Sequence, residues 1–294
     1  MKQFSILIPT YNDVCTTLVQ ALQRQAEKLG TDYEILVADD ASTQQDVVDQ
    51  NRSIINALPQ CRYIERKQNV GRAHIRNFLA RESQYDYLIF IDADMIVPHD
   101  DYLKNYAENE CNTVIDGGVI IRSDWAAKPT LRYRYEKQAE QAHTVKERQQ
   151  HPYQHFHTAN FMVARHIMLA HPFDERFTHY GYEDVLFGKQ LQQHGIHIAH
   201  IDNPLSFEVF EDNASFISKT EEGLRTLRQF QTELDGYSNM LAGIKRLQKY
   251  KLLPVIRGWH RLFGAFERKL LTRGCGSLKL FTLYRVGYFL SLRP

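Results

Sequence analysis

The chain has 294 residues, 43% of them hydrophobic and 12% aromatic, enough for one large domain, or a domain with an appendage, around a sizeable core. No run of about 18 uncharged apolar residues occurs, the opening MKQFSILIPTYN lacks the apolar length and cleavage pattern of a signal peptide, and Cys15, Cys61, Cys111 and Cys275 form no CxxC pair. No membrane-spanning helix is expected from these features, and a reduced cytosolic chain fits them better than a disulfide scaffold or a zinc site.

Residues 3–9 (QFSILIP) read as a strand, 14–29 as a helix, and 33–38 (YEILVA) as a second strand ending in Asp39 and Asp40. A helix over 44–57, a short strand over 61–65 (CRYIE), a helix over 71–81 and a strand over 86–91 follow. Strands alternating with helical segments of ~10–15 residues imply βαβ units and a mostly parallel sheet. In such sheets ligands sit beyond the carboxyl ends of the strands. Pro9, Thr10 and Tyr11, the Asp39–Asp40 pair, and Asp92 with Asp94 all fall at such ends.

The pattern then becomes α+β. A strand over 113–121 (TVIDGGVII) contains Gly117 and Gly118, which permit close backbone approach. A very polar helix is expected over 131–148, a strand over 157–165 (HTANFMVAR), a helix over 182–194 before Gly195, and a strand over 196–201. Phe216, Leu224, Leu227, Phe230 and Leu234 have helical spacing within 215–235.

The stretch YDYLIFIDADMIVP (85–98) ends an apolar strand in two carboxylates. Alternation sets positions 92 and 94 on one side, where like charges repel and lose hydration. Hard oxygen ligands of this kind suit Mg2+ or Mn2+. An isolated DxD is ordinarily a solvated turn or a helix cap, but the preceding YLIFI places this one at a sheet edge and favours a metal. Asp39 and Asp40 fit either a turn before a capped helix or acceptors for a nucleobase or ribose. Asn69, Gly71, Arg72 and Arg76 fit either a phosphate site at a helix start or the wet face of an amphipathic helix. Glu183 and Asp184 open a helix, as dipole partners or with one of them as a general base.

Taken in order, SILIPTYN, ILVADDAST, QNVGRAHIRN, YLIFIDADMIVP, HTANFMVAR and FDERFTHYGYEDVLFGKQLQQHG resemble the blocks of family 2 glycosyltransferases with the GT-A fold, across residues 3 to about 235. The resemblance implies an α/β, GT-A (Rossmann-like), mostly parallel sheet flanked by helices, and an inverting, nucleotide-sugar-dependent enzyme. It implies that Pro9, Thr10, Tyr11 and Asp40 line the pocket for the donor's base, usually uracil, and that Arg72 and Arg76 lie near its phosphates. Asp92 would contact the ribose and Asp94 the divalent metal, Mn2+ or Mg2+, bridging the diphosphate. Asp184 would be the catalytic base, with Glu183 beside it contacting acceptor or donor sugar. Gly117, Gly118 and residues 158–160, Asn160 included, would flank the sugar pocket. One segment departs from the pattern: many relatives carry a metal-binding His in a stretch like NPVYH, where this chain has NPLSFE, with Phe207 at the His position and Glu208 as a possible substitute ligand.

The net charge of +1 hides an asymmetry. Residues 245–294 hold twelve Lys or Arg against Glu267 alone, a charge of +11 that leaves −10 on residues 1–244. Trp259, Leu262, Phe263, Phe266 and Leu270 have helical spacing, with Arg257, Arg261, Arg268 and Lys269 between them. A basic face opposite an apolar one describes a helix in a membrane interface; the competing reading is a helical pair packed on the catalytic domain or on another subunit. The expected division is a catalytic domain over 1–240, split near 122 into nucleotide- and acceptor-binding halves, and a basic amphipathic helical extension over 241–294. The expected partners are a nucleotide-sugar donor, a glycan or lipid-linked acceptor and the inner face of the cell membrane, with no nucleic acid and with a homo-oligomer possible. A sugar-nucleotide pyrophosphorylase would want a Gly-rich, Arg-containing loop after the first strand, which PTYNDV is not. A degenerate transferase serving as a membrane scaffold would lack convergence of Asp92, Asp94 and Asp184.

Overall fold

The apolar runs of the first ninety residues become the middle of one sheet. The structure, a computed structural model, describes residues 3–109, 113–121, 130–207, 209–274 and 276–293. Strands β1 (Gln3–Thr10), β2 (Asp32–Asp39), β3 (Cys61–Glu65) and β4 (Tyr87–Ile91) run parallel in the order β3-β2-β1-β4. Helices α1 (Thr16–Leu29), α2 (Gln45–Ile55) and α3 (Arg72–Glu82) make the crossovers. β1 lies between β2 and β4, so the strand order switches there and opens a crevice at the carboxyl ends.

Alternation along these strands fills two cores, one on each face. Ile6, Ile8, Ile35, Val37, Ile89 and Ile91 pack with α1, α2 and α4 (Tyr102–Glu108). Leu7, Leu36, Leu88 and Phe90 face the other way, onto α3 and onto later parts of the chain. A sheet covered on both faces explains why its strands are apolar at nearly every position.

Beyond β4 the chain makes β5 (Met95–Ile96), then β6 (Val114–Asp116) and β7 (Val119–Ile120). The single strand expected over 113–121 is therefore two strands in different sheets. Gly118 makes the break: its φ of +85° is costly for any other residue, and a Cβ there would lie 2.5 Å from the Arg148 guanidinium. The polar helix expected over 131–148 is also divided, into α5 (Leu131–Glu140) and α6 (Val145–Gln150), the second capped by Thr144 accepting the Glu147 N–H.

Strand β8 (Asn160–Ala164) inserts antiparallel between β4 and β6 and is followed by α7 (Arg165–Ala170) and α8 (Glu183–Gln193). The strand expected over 196–201 shortens to β9 (Ala199–His200), parallel to β6 at the sheet edge. β10 (Leu205–Phe207), which no sequence pattern announced, sits between β5 and β7 in a second, three-stranded sheet. Helix α9 (Asn213–Gln229) realises the apolar spacing of 215–235, with Asp212 accepting the Ser215 N–H at its start.

The last fifty residues form α10 (Asn239–Lys249), α11 (Leu253–Thr272) and α12 (Leu278–Ser291). They share cores with the body. Leu241, Ile244 and Phe289 are buried in one cluster with Leu186 and Phe187 of α8, and Leu271, Phe281 and Tyr284 in another with Leu131 and Phe216. Among the described residues no helix is long and apolar enough to cross a membrane.

Candidate active site

The carboxyl ends of β1, β2 and β4 are tied together by side chains. Asn12, just past β1, accepts the Thr43 and Gln44 N–H groups, and its own N–H donates to Ser42 beyond β2. Asp39 accepts from the Ser42 N–H and from the Tyr63 hydroxyl. Asp40 accepts from the Val70 and Gly71 N–H groups at 3.1 and 2.9 Å, and so docks the start of α3 against β2. Gly71 has a φ of +89°, and a Cβ there would meet the Thr178 carbonyl at 2.7 Å. Thr10 is buried and donates to the Asp13 carbonyl, whereas the Tyr11 ring is exposed.

Beside these ends lies a cleft of about 400 Å³, within the range of small-molecule sites. It brings together five residues that the sequence singled out from three separate stretches: Arg72, Asp92, Asp94, Glu183 and Asp184. Arg76 lies directly behind them, 1% exposed. It donates to Asp92 at 2.6 Å and to Glu183 at 3.3 Å, joining the end of β4 to the start of α8. Arg72 stands 3.8 Å from Asp92 and over the Tyr180 ring. Chain geometry at α8 is strained: Gly181 and Tyr182 both have positive φ, +96° and +70°, a conformation that a tyrosine holds only where its surroundings impose it. That turn aims Glu183 and Asp184 into the cleft.

Burial and charge crowding together set the proton affinities. Burial, then the Glu183 charge, pushes Asp184 up to about 7, against the Val185 N–H and the two arginines. Asp94 opens onto the cleft, yet the recess and then the Asp92 charge push it up to about 6. No described residue donates a hydrogen bond to Asp94.

Other expected residues stand elsewhere. Pro9, Thr10, Tyr11 and Asp40 lie at the strand ends, outside the cleft lining. Gly117 and Asn160 lie behind it. Asn160 is 1% exposed; it accepts from the Tyr102 and Tyr106 hydroxyls and donates to the Gly118 and Asn203 carbonyls, so its side chain is fully engaged in holding the Gly117–Gly118 turn. Phe207 lines the cleft, and Glu208 lies outside the described residues. Among the described residues no three acidic, His or Cys side chains converge on a common point.

Sequence reasoning missed Arg132, Arg148 and Arg285, which line the same cleft with Tyr135, Glu136 and Tyr182. Arg148 is buried against Asp116 at 2.9 Å. Arg132 pairs with Glu136 at 2.8 Å. Only Arg285 carried a visible signal, being the one charge between residues 280 and 292.

The sequence model of the family described as Glycosyl transferase family 2 matches residues 5–169, more than half of the chain. The chain belongs to glycosyl transferase family 2. Among curated family relatives it is 24% identical to a chondroitin synthase of Escherichia coli, over 69% of this chain and 34% of that protein. It is 28% identical to a teichoic acid poly(glycerol phosphate) polymerase of Staphylococcus epidermidis, over 36% of this chain and 14% of that one. It thus spans about a third or less of these relatives' lengths. Its fold is that of solved GT-A enzymes. Mannosyltransferase PcManGT from Pyrobaculum calidifontis superposes with a TM-score of 0.54 at 15% identity, covering 98% of this chain and 84% of that one. Residues 1–349 of Staphylococcus aureus TarS give 0.51 at 16% identity, covering 97% and 90%.

Replacing Arg76 by Met should leave Glu183 without its ion-pair partner and Asp92 with only the more distant Arg72. Removing one partner of a buried ion pair costs about 3–5 kcal/mol, and denaturant unfolding of the variant should show a loss of that order. A loss below about 1 kcal/mol would mean that the bridge does not organise the cleft.

Proposed function

We propose that this protein transfers a sugar from a nucleotide donor, a UDP-sugar, to a hydroxyl of a glycan or lipid-linked acceptor, with inversion at the anomeric carbon. The observation that carries this reading is the meeting of Asp92, Asp94 and Asp184 in one cleft at the carboxyl ends of the strands. A degenerate scaffold would have no need of that meeting.

In the proposed reaction Asp184 accepts the proton of the acceptor hydroxyl, whose oxygen bonds to the anomeric carbon as the bond to the diphosphate oxygen breaks. A carboxylate raised to about 7 suits this task, because a base works best with a proton affinity near the working pH. Arg72, on the rim of the cleft, supplies positive charge toward the leaving diphosphate. The exposed Tyr11 ring and the strand-end loop around Asp40 would receive the base.

The donor set fits a divalent cation. Asp94 is a hard oxygen ligand with no hydrogen-bond donor from the described residues, and burial, then the neighbouring Asp92 charge, raises its proton affinity, both of which a bound cation would offset. Asp94 would hold the ion with Asp92 alongside, the remaining ligands coming from diphosphate and water. Bound there, Mn2+ or Mg2+ would act as a Lewis acid on the leaving group. PcManGT was solved with GDP-Man and Mn2+, a mycobacterial glucosyl-3-phosphoglycerate synthase with Mg2+ and UDP, and TarS with UDP, which supports a nucleotide and a metal here.

The proposal extends to a membrane surface. Val255, Trp259, Leu262, Phe263, Phe266 and Leu270 form one exposed apolar stripe on α11, with Leu262 77% exposed. Arg257, Arg261, Lys269 and Arg273 flank it, also exposed. Such a helix suits the cytoplasmic leaflet, each basic residue contributing roughly 1 kcal/mol near anionic lipid. A peripheral enzyme on the inner face could then reach a lipid-linked acceptor.

Thermal-shift titration with UDP, GDP and dTDP, each with Mn2+ or EDTA, tests the donor site. One nucleotide should stabilise the wild type only with metal, and Asp94→Ala should abolish the effect; no response to any nucleotide would sink the transferase reading. The pH profile of kcat/KM tests the base. Activity needs the Asp184 carboxylate, so it should fall about tenfold per unit as pH drops below about 7 and level off above. Glu183→Gln removes the charge that adds to burial in raising Asp184, so the midpoint should move down; an unmoved midpoint would assign the titration to another group. In vesicle co-sedimentation the protein should follow anionic but not neutral bilayers, and Leu262→Glu with Phe266→Glu should release it. Equal binding by that double variant would rule out α11 as the docking face.

A further inference from the structure

Five cationic side chains line the cleft: Arg72, Arg132, Arg148, Lys219 and Arg285. Four have a carboxylate partner. Arg72 stands 3.8 Å from Asp92, Arg132 2.8 Å from Glu136, Arg148 2.9 Å from Asp116, and Lys219 2.6 Å from Glu211. Arg285 has none among the described residues. Its surroundings are the Tyr135 hydroxyl at 3.5 Å, the Tyr182 phenol, and the faces of the Tyr135 and Phe281 rings at 5.5 and 5.4 Å from the guanidinium carbon. Its Nε is buried with no hydrogen-bond acceptor.

A guanidinium is always charged, and withdrawing one from water without an anion is costly. Aromatic faces and phenol oxygens offset only part of that cost. The arrangement is therefore rich in donors and short of negative charge: a planar fork of N–H groups with two phenolic O–H groups beside it. Oxyanions complement such a fork, because two of their oxygens can accept from it in parallel.

Position decides which oxyanion. Arg285 comes from α12 and Tyr135 from α5, the wall built by the later part of the chain, whereas Asp92 and Asp94 come from the end of β4. Tyr182 stands two residues before Asp184 in the strained turn that aims it. The unmatched cation is thus on the side of the proposed base and is carried by different elements from the metal carboxylates.

We propose that Arg285, with Tyr135 and Tyr182, binds an anionic group of the acceptor, a phosphate or a carboxylate close to the hydroxyl that receives the sugar. This rests on the transferase reading for the word acceptor; the anion site stands on its own geometry. It also gives α12 a place in the active site, since Phe281 and Arg285 both line the cleft.

The test uses the full chain and two pairs of probes, glycerol 3-phosphate against glycerol and glucuronate against glucose, titrated calorimetrically with and without UDP and Mn2+. Wild type should prefer one anion to its neutral counterpart by about ten- to a hundredfold, the range for a hydrogen bond to a charged group. A phosphate preference would identify a phosphorylated acceptor and a carboxylate preference an acidic sugar. Arg285→Met should erase the preference, Arg285→Lys should keep part of it, and both should bind UDP as the wild type does, which also shows that they fold. The proposal is overturned if the wild type prefers neither anion, if Arg285→Met retains the preference, or if that variant weakens UDP equally, which would place the guanidinium with the donor. Absence of UDP binding in the wild type would count against the donor site alone, because the anion titrations without nucleotide are read independently.

Discussion

The cleft depends on one buried arginine. Arg76 sits between Asp92, at the end of a strand from the first half of the chain, and Glu183, at the start of a helix about ninety residues later. Without it these carboxylates would repel, and α8 could not present its first turn beside β4. The compensation is partial: Arg76 Nε and Glu183 Oε2 are buried with no partner. Asp92, Asp94, Glu183 and Asp184 are answered chiefly by Arg72 and Arg76, with Lys219 adding positive charge toward Asp94, so four carboxylates crowd the centre of the cleft. Burial first, and then that crowding of carboxylates, raises both Asp94 and Asp184. The same two causes thus prepare both a ligand that favours a cation and a carboxylate that holds a proton near neutral pH.

A second polar core holds the wall across the cleft. Arg148 pairs with Asp116 and donates to the Gly117, Ile201 and His143 carbonyls, while Asn160 ties the Gly118 and Asn203 carbonyls to two tyrosines of α4. These groups are spread along the sequence, yet they converge on carbonyls in and around the Gly117–Gly118 turn, adding to the Asn203 and Leu205 N–H groups that the two glycine carbonyls already accept. Buried irregular backbone needs such partners. Asn160 therefore acts on the cleft at one remove, by shaping the Gly117–Gly118 turn.

What was legible in the sequence follows from the range of the interactions. The strands β1, β2 and β4 could be read because burial on both faces demands uninterrupted apolar runs, and Asp92 and Asp94 because a strand end fixes where they point. The pairing of Glu183 with Arg76 could not be read, since nothing local in either segment names the other. β10 has three residues and exists only through its neighbours β5 and β7, and α5 and α6 were read as one helix because Gln141–Thr144 carries no proline or glycine to mark the break. Arg132 and Arg148 fall within the very polar helix expected over 131–148, and only the folded structure shows which of them is buried.

The basic extension shows the same limit in its composition. Its charge was legible as a sum, but a sum does not say which way each side chain faces. The residues of α11 divide: Leu271 and Glu267 turn inward, Trp259 donates to Glu267, and Leu262 and Phe266 remain outside. In α12 the division runs the other way, with Phe281, Tyr284 and Phe289 buried and Arg285 brought to the cleft. Where α11 and α12 cross, a Cβ at Gly287 would lie 2.6 Å from His260, so the two helices approach closely. They therefore form one hairpin with two distinct outlets, an apolar basic stripe toward the outside and a single guanidinium toward the site. If the stripe seats on a bilayer as proposed, that close contact links the helix at the membrane directly to the helix that carries Arg285.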